Sequence, residues 1–138
     1  MNMEFQIAGG DFVNAGKASS SVKGVLKQLN VEPKLIKRVV IALYETEVNV
    51  VAHADSGEIR VNIEEQEISI EVEDQGPGIP DIDQAMKEGY STASRKVREM
   101  GFGAGMGLPN IRRNTDELNI DSVPGKGTTV RIVNRLKN

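Results

Sequence analysis

The sequence predicts an α+β fold in which helices and a sheet form the two layers of a sandwich. Three observations carry that prediction. Apolar residues recur at helical spacing through the N-terminal part of the chain, two runs in the middle alternate apolar and polar residues, and a second alternating pair closes the chain after a Gly/Pro turn. Helices first and hairpins afterwards fit an α+β sandwich better than a strictly alternating α/β chain.

The elements follow in order. Residues 4–8 read as a short edge strand ended by Gly9-Gly10, and residues 11–29 carry a weaker helical pattern with Val22, Val25, Leu26 and Leu29 on one face. Pro33 opens a stronger helix over residues 34–54, where Ile36, Val39, Val40, Leu43, Val50 and Val51 share a face; Asp55-Ser56-Gly57 stops it. Ile59/Val61/Ile63 and Ile68/Ile70/Val72 then alternate about the turn Glu64-Glu65-Gln66, a β-hairpin pattern. After Asp74 come a Gly/Pro loop, a short helix around residues 82–88, a polar stretch through Glu99 and the run GFGAGMGLPN at 101–110. Pro109 suits a first helical turn, so residues 111–118 read as a short helix. The last strands, at 118–122 and 128–133, are joined by Pro124-Gly125-Lys126-Gly127.

At 138 residues the chain fits one domain, residues 1–138, with no internal repeat or low-complexity linker. Charged residues make up 27% and the net charge is -3, so no broad basic field points to nucleic acid or a membrane surface. The absence of cysteine excludes disulfides and thiolate metal sites. The opening residues do not resemble a signal peptide or a membrane span, and a cytoplasmic setting is the expectation.

Four stretches carry candidate chemistry. Glu45, Asn49 and His53 are each four apart and share one helix face; this is either a solvated polar stripe or the start of a hard-cation site, since Mg²⁺ prefers oxygen ligands and phosphate completes its shell. His53 reads as a structural hydrogen-bonder. Asp74-Gln75-Gly76-Pro77-Gly78 places a carboxylate at a strand end before two glycines, either an ordinary turn or an acceptor for an exocyclic amine. The glycine run entering a helix reads as an anion cradle, because free N–H groups and the positive end of the helix dipole point the same way. It is neither a Walker A loop nor a Rossmann loop: Gly16-Lys17-Ala18 and Gly125-Lys126-Gly127 lack the Lys-Ser/Thr pair, and Gly101-x-Gly103 is followed by Met106 where a third glycine should stand. The fourth stretch, Gly125-Lys126-Gly127-Thr128-Thr129, sets hydroxyls at the start of a strand.

Taken in order, Glu-x-x-x-Asn on a helix, Asp-x-Gly-x-Gly after a strand, a glycine run entering a helix and Gly-x-Gly-Thr at a final strand resemble the GHKL ATPase superfamily with its Bergerat nucleotide fold. The wording DQGPGIPDIDQAMKEGYST, GFGAGMGLPNIRR and GKGTTV is most similar to bacterial anti-sigma-factor and stressosome serine kinases of the RsbW and RsbT type. The resemblance spans nearly the whole chain. It implies a mixed sheet covered on one face by helices, with ATP and Mg²⁺ as cofactors. It also implies Glu45 as general base, Asn49 as the Mg²⁺ ligand and Asp74 as acceptor for the adenine amine. Gly76, Gly78 and Thr128 would line the base, while Gly103, Gly105, Met106, Gly107 and Leu108 would present backbone N–H groups to the phosphates. On this reading the glycines form a lid that closes over ATP. Arg95, Lys96 and Arg98 would stand within reach of the γ-phosphate when it does.

The function so implied is a serine/threonine protein kinase and anti-sigma regulatory factor. It would phosphorylate a STAS-domain antagonist in a bacterial partner-switching pathway and bind a sigma factor or a phosphatase according to nucleotide state, without direct contact to nucleic acid or membrane. The edge strand near residues 4–8 leaves room for a homodimer, as in RsbW-type relatives. Two rival readings share the same ATP site: a non-catalytic ATP-gated binding module, against which Glu45 speaks, and the ATP-binding subunit of a split histidine kinase with its phosphoacceptor on another chain.

Overall fold

The computed structural model describes residues 1–79, 82, 86 and 107–137. Its elements are β1 (Asn2–Ala8), α1 (Lys17–Gln28), α2 (Pro33–His53), β2 (Ser56–Ile63), β3 (Glu67–Gln75), α3 (Gly107–Arg113), β4 (Glu117–Val123) and β5 (Gly127–Arg135). The strands form one sheet in the order β1-β2-β3-β5-β4.

Period-two alternation divides the sheet into two faces. Ile59, Val61 and Ile63 of β2, Ile68, Ile70 and Val72 of β3, and Val130 and Ile132 of β5 are buried. The helices cover that face with Val22 and Leu26 of α1, Ile36, Val39, Leu43 and Val50 of α2, and Ile111 of α3, all in one cluster. Gly57 lets α2 come close, since a methyl group there would lie 2.6 Å from Val50 Cγ1. The other face carries charge. Arg60 pairs with Glu71 and Glu58, and Arg131 pairs with Glu71 at 3.0 Å and Asp121 at 2.8 Å. This is the expected two-layer α+β sandwich.

One expectation is corrected: among the described residues the sheet is not mixed, because the four strand pairings there are all antiparallel. β3 and β4 do run the same way, but β5 returns between them, so no parallel strands become neighbours.

Element ends also moved. The first helix starts at Lys17, after Gly16 takes a left-handed φ of 99°. It ends at Gln28, where Asn30 (φ 60°) turns the chain and Val31 N–H donates to the Leu26 carbonyl at 3.1 Å. Leu29 swings outward and is 50% exposed, not on the buried face. The helix after the glycine run is Gly107–Arg113, not 111–118. Asn114 Nδ2 donates to the Asn110 carbonyl at 2.8 Å and Thr115 Oγ1 to that of Arg112 at 3.2 Å, closing the last turn. Leu118 therefore joins β4. Of the helix expected at 82–88, Met86 N–H donates to the Ile82 carbonyl at 3.0 Å; the rest lies outside the described residues.

Candidate functional site

The C-terminal half of α2 carries the site. Glu45 and Asn49, one turn apart, are half-buried on the flank that faces α3. Gly107, the first residue of α3, approaches them so closely that a methyl group there would lie 3.2 Å from Asn49 Oδ1 and 3.6 Å from Glu45 Oε2. One turn later Asn110 Nδ2 donates to Glu45 Oε1 at 3.4 Å, a long bond that leaves the carboxylate available. Leu108 packs against the core and Pro109 is buried, fixing the first turn of α3.

Five residues further along α2, about 7.5 Å by helical rise, the β3 end meets the helix. Asp55 N–H donates to the Gln75 carbonyl at 2.9 Å. A methyl group on Gly76 would lie 2.9 Å from Ala54 Cα and 3.4 Å from Asp74 Oδ1. Only glycine fits that approach. Asp74 accepts the Thr128 N–H on Oδ1 at 3.0 Å, and its backbone carbonyl crowds Gly127, where a methyl group would lie 2.1 Å away. Burial pushes the Asp74 carboxyl above its ordinary value, and the Thr128 amide offsets part of that shift.

The loop after β3 is laced to the β4–β5 turn. Gly78 takes a φ of 76°, Ile79 N–H donates to Ser122 Oγ at 2.6 Å, Gly125 N–H donates to the Pro77 carbonyl at 2.8 Å, and Ser122 Oγ lies 2.9 Å from Thr128 Oγ1. Asp74, Gly76, Gly78 and Thr128 are thus assembled at one end of the sheet. His53, in the last turn of α2, has its pKa lowered by burial. Among the described residues no group of three or more His, Cys, Asp or Glu could hold a metal by itself. Gly103, Gly105 and Met106, with Arg95, Lys96 and Arg98, lie outside the described residues.

Sequence reasoning missed Glu47, Ser122 and Asn110. Glu47 is 3% exposed on α2 and accepts the Gly16, Ala18 and Ser19 N–H groups at 3.0, 3.2 and 3.3 Å and Ser19 Oγ at 2.6 Å. It caps the start of α1 from the neighbouring helix. The available signal was a charge at core spacing, four after Leu43 and three before Val50.

Comparisons with known proteins identify the family. Residues 34–138 match the family described as histidine kinase-, DNA gyrase B-, and HSP90-like ATPase. The serine/threonine-protein kinase RsbT of Bacillus subtilis (strain 168) is 33% identical over 119 residues, covering 83% of this chain and 84% of that protein. An anti-sigma F factor of Caldanaerobacter subterraneus subsp. tengcongensis is 34% identical over 124 residues, 86% of this chain and 83% of that protein. The RsbU and RsbW domains of a Mycobacterium tuberculosis protein share the fold at a TM-score of 0.64 and 17% identity. That likeness covers 99% of this chain and 33% of the other, so the chain spans about a third of its length. No helix among the described residues is long and apolar enough to cross a membrane. The chain belongs to the histidine kinase-, DNA gyrase B- and HSP90-like ATPase family, the GHKL superfamily, alongside its serine/threonine-protein kinases and anti-sigma factors.

Proposed function

We propose that this chain is an anti-sigma serine/threonine kinase that binds ATP along the C-terminal half of α2 and transfers its γ-phosphate to a hydroxyl of a STAS-domain antagonist. The observation that carries this reading is the approach of Gly107 to Asn49 and Glu45, with 3.2 Å and 3.6 Å left for any added methyl group. That approach leaves backbone amide, carboxamide oxygen and carboxylate together, the parts that phosphoryl transfer needs for positioning and charge.

Asp74 holds the adenine amine through its carboxylate, with Gly76, Gly78 and Thr128 as the walls around the base. Gly107 and Leu108, with Gly103, Gly105 and Met106 of the lid, offer backbone N–H groups to the phosphates. Asn49 would hold Mg²⁺ through its carboxamide oxygen, with phosphate oxygens and water completing the shell of a hard cation. The chemistry such an ion would supply there is neutralisation of phosphate charge. Glu45 orients the attacking hydroxyl and accepts its proton. The open sheet edge at β1 leaves room for a homodimer, and a cytoplasmic setting suits ATP and a STAS partner.

Titration calorimetry with ATP and Mg²⁺ tests the site. Saturable binding weakened by both Asp74→Asn and Asn49→Ala supports it; wild-type affinity in both variants overturns it.

A further inference from the structure

Between the C-terminal half of α1, the turn after it and the N-terminal half of α2 lies a groove of about 750 Å³. Its floor is apolar, formed by Val31, Ile36, Val40 and Ile41, and its rim carries Lys23, Lys27 and Lys37. Glu32 is the only acid in the lining. Residues 17–38 hold six basic residues against one acidic in a chain whose net charge is -3, so positive charge is concentrated on this part of the surface.

Arg38, Arg60, Arg131 and Lys137 each pair with a carboxylate. Among the described residues, Lys23, Lys27 and Lys37 form no ion pair, as is also true of Lys17, Lys34 and Lys126; what sets the three apart is that they border one apolar groove. An apolar floor bordered by three lysines and a single acid calls for a ligand with an apolar stripe flanked by negative charge. Spacing narrows the class further. Lys23 and Lys27 lie four apart on one helix, about 6 Å along its axis, which matches carboxylates four apart on a second helix. An amphipathic helix presents its anchors at i, i+3, i+4 and i+7, a stripe suited to a narrow apolar groove.

We propose that this groove docks an acidic amphipathic helix of a protein partner. The inference rests on the proposed function only in that the docked partner is one the kinase acts on or restrains. The groove takes in residues 33–41 at the start of α2, whereas Glu45 and Asn49 lie further along the same helix, one turn and more beyond Ile41. Opposite charge across the rim speeds encounter and fixes register more than it raises affinity, and the apolar floor supplies the anchor.

The probe is a short helical peptide with Leu at i, i+3, i+4 and i+7 and Glu flanking that stripe, titrated into the full chain while methyl resonances are followed. The expected result is shifts at Val31, Ile36, Val40 and Ile41. Affinity should fall at least about tenfold in K23E/K27E/K37E, and likewise when Lys replaces Glu in the peptide. The lysines are exposed, and ATP titration of the same variant reports whether it is folded; the Lys→Gln triple variant provides a second reading. No shift at the four floor residues, or peptide affinity unchanged in both variants, overturns the proposal. So does equal displacement of the peptide by inorganic phosphate, which makes the rim a general anion site, or preferential binding to phosphatidylglycerol vesicles. ATP binding by the wild type is scored separately, so failure of the nucleotide site and failure of the groove give different results.

Discussion

Thr128 donates its backbone N–H to Asp74 Oδ1 at 3.0 Å, tying the last turn of β3 to the start of β5 through a carboxylate. The neighbouring glycines are required too: a methyl group on Gly127 would lie 2.1 Å from the Asp74 carbonyl oxygen, and one on Gly76 would lie 2.9 Å from Ala54 Cα. A carboxylate fixed in this way is an acceptor awaiting a donor. Asp74→Asn is expected to weaken ATP binding ten- to a hundred-fold, since a mispaired buried amide loses about 1–3 kcal/mol. Calorimetry that finds wild-type affinity would remove Asp74 from the adenine site.

Asp74 also links stability to pH. Burial raises its pKa, so folding favours the protonated form. Wild-type stability from this group is fullest below the unfolded-state pKa and declines as pH rises through the higher folded one. Asp74→Asn removes that decline. In nucleotide-free protein, melting temperatures between about pH 3 and 7 should shift in the variant's favour as pH rises. A difference that is constant across the range contradicts the raised pKa.

Gly107→Ala adds a methyl group 3.2 Å from Asn49 Oδ1, tight enough that the carboxamide must give way by a few tenths of an ångström. Alanine favours a helix more than glycine does, so stability should hold or rise slightly while Mg²⁺-dependent ATP affinity falls about tenfold. Unchanged affinity would separate Gly107 from the phosphate site.

Glu47→Ala is expected to act on the fold. It strands the Gly16, Ala18 and Ser19 amides at the start of α1, removing bonds to a charged acceptor that together contribute about 2–3 kcal/mol. The melting temperature should drop by roughly 8 °C. A wild-type melting temperature would show that water replaces the carboxylate at no loss.

Much of this architecture was legible in the residues, and the gaps have physical causes. The hairpin of β2 and β3 was readable because Ile59, Val61, Ile68 and Ile70 alternate without interruption. Glu45, Asn49 and Asp74 stood out because their spacing and their glycine neighbours form an ordered series. Helical spacing put Leu29 on the first helix and carried the short helix to Leu118, where the strand at 118–122 also begins, yet left-handed Asn30 and the side-chain caps from Asn114 and Thr115 end those helices earlier. Backbone chemistry won over periodicity there. The antiparallel character of every strand pair depends on where β5 inserts, which no local pattern encodes. Glu47 showed only as a charge at core spacing; its partners, amides at the start of α1 that lie 28 to 31 residues away in sequence, are a long-range contact that local pattern does not name.

Asn110 already holds Glu45 at 3.4 Å beside Gly107, and the central claim is that this carboxylate serves phosphotransfer. The most direct measurement incubates the protein with γ-labelled ATP, Mg²⁺ and a STAS-domain partner, comparing wild type with Glu45→Ala after nucleotide affinity has been matched. The account predicts acid-stable label on the partner with wild type, and its loss in a variant that still binds ATP. Equal labelling by both proteins would contradict the role of Glu45; ATP binding without labelling by either would leave an ATP-gated binding module in place of a kinase.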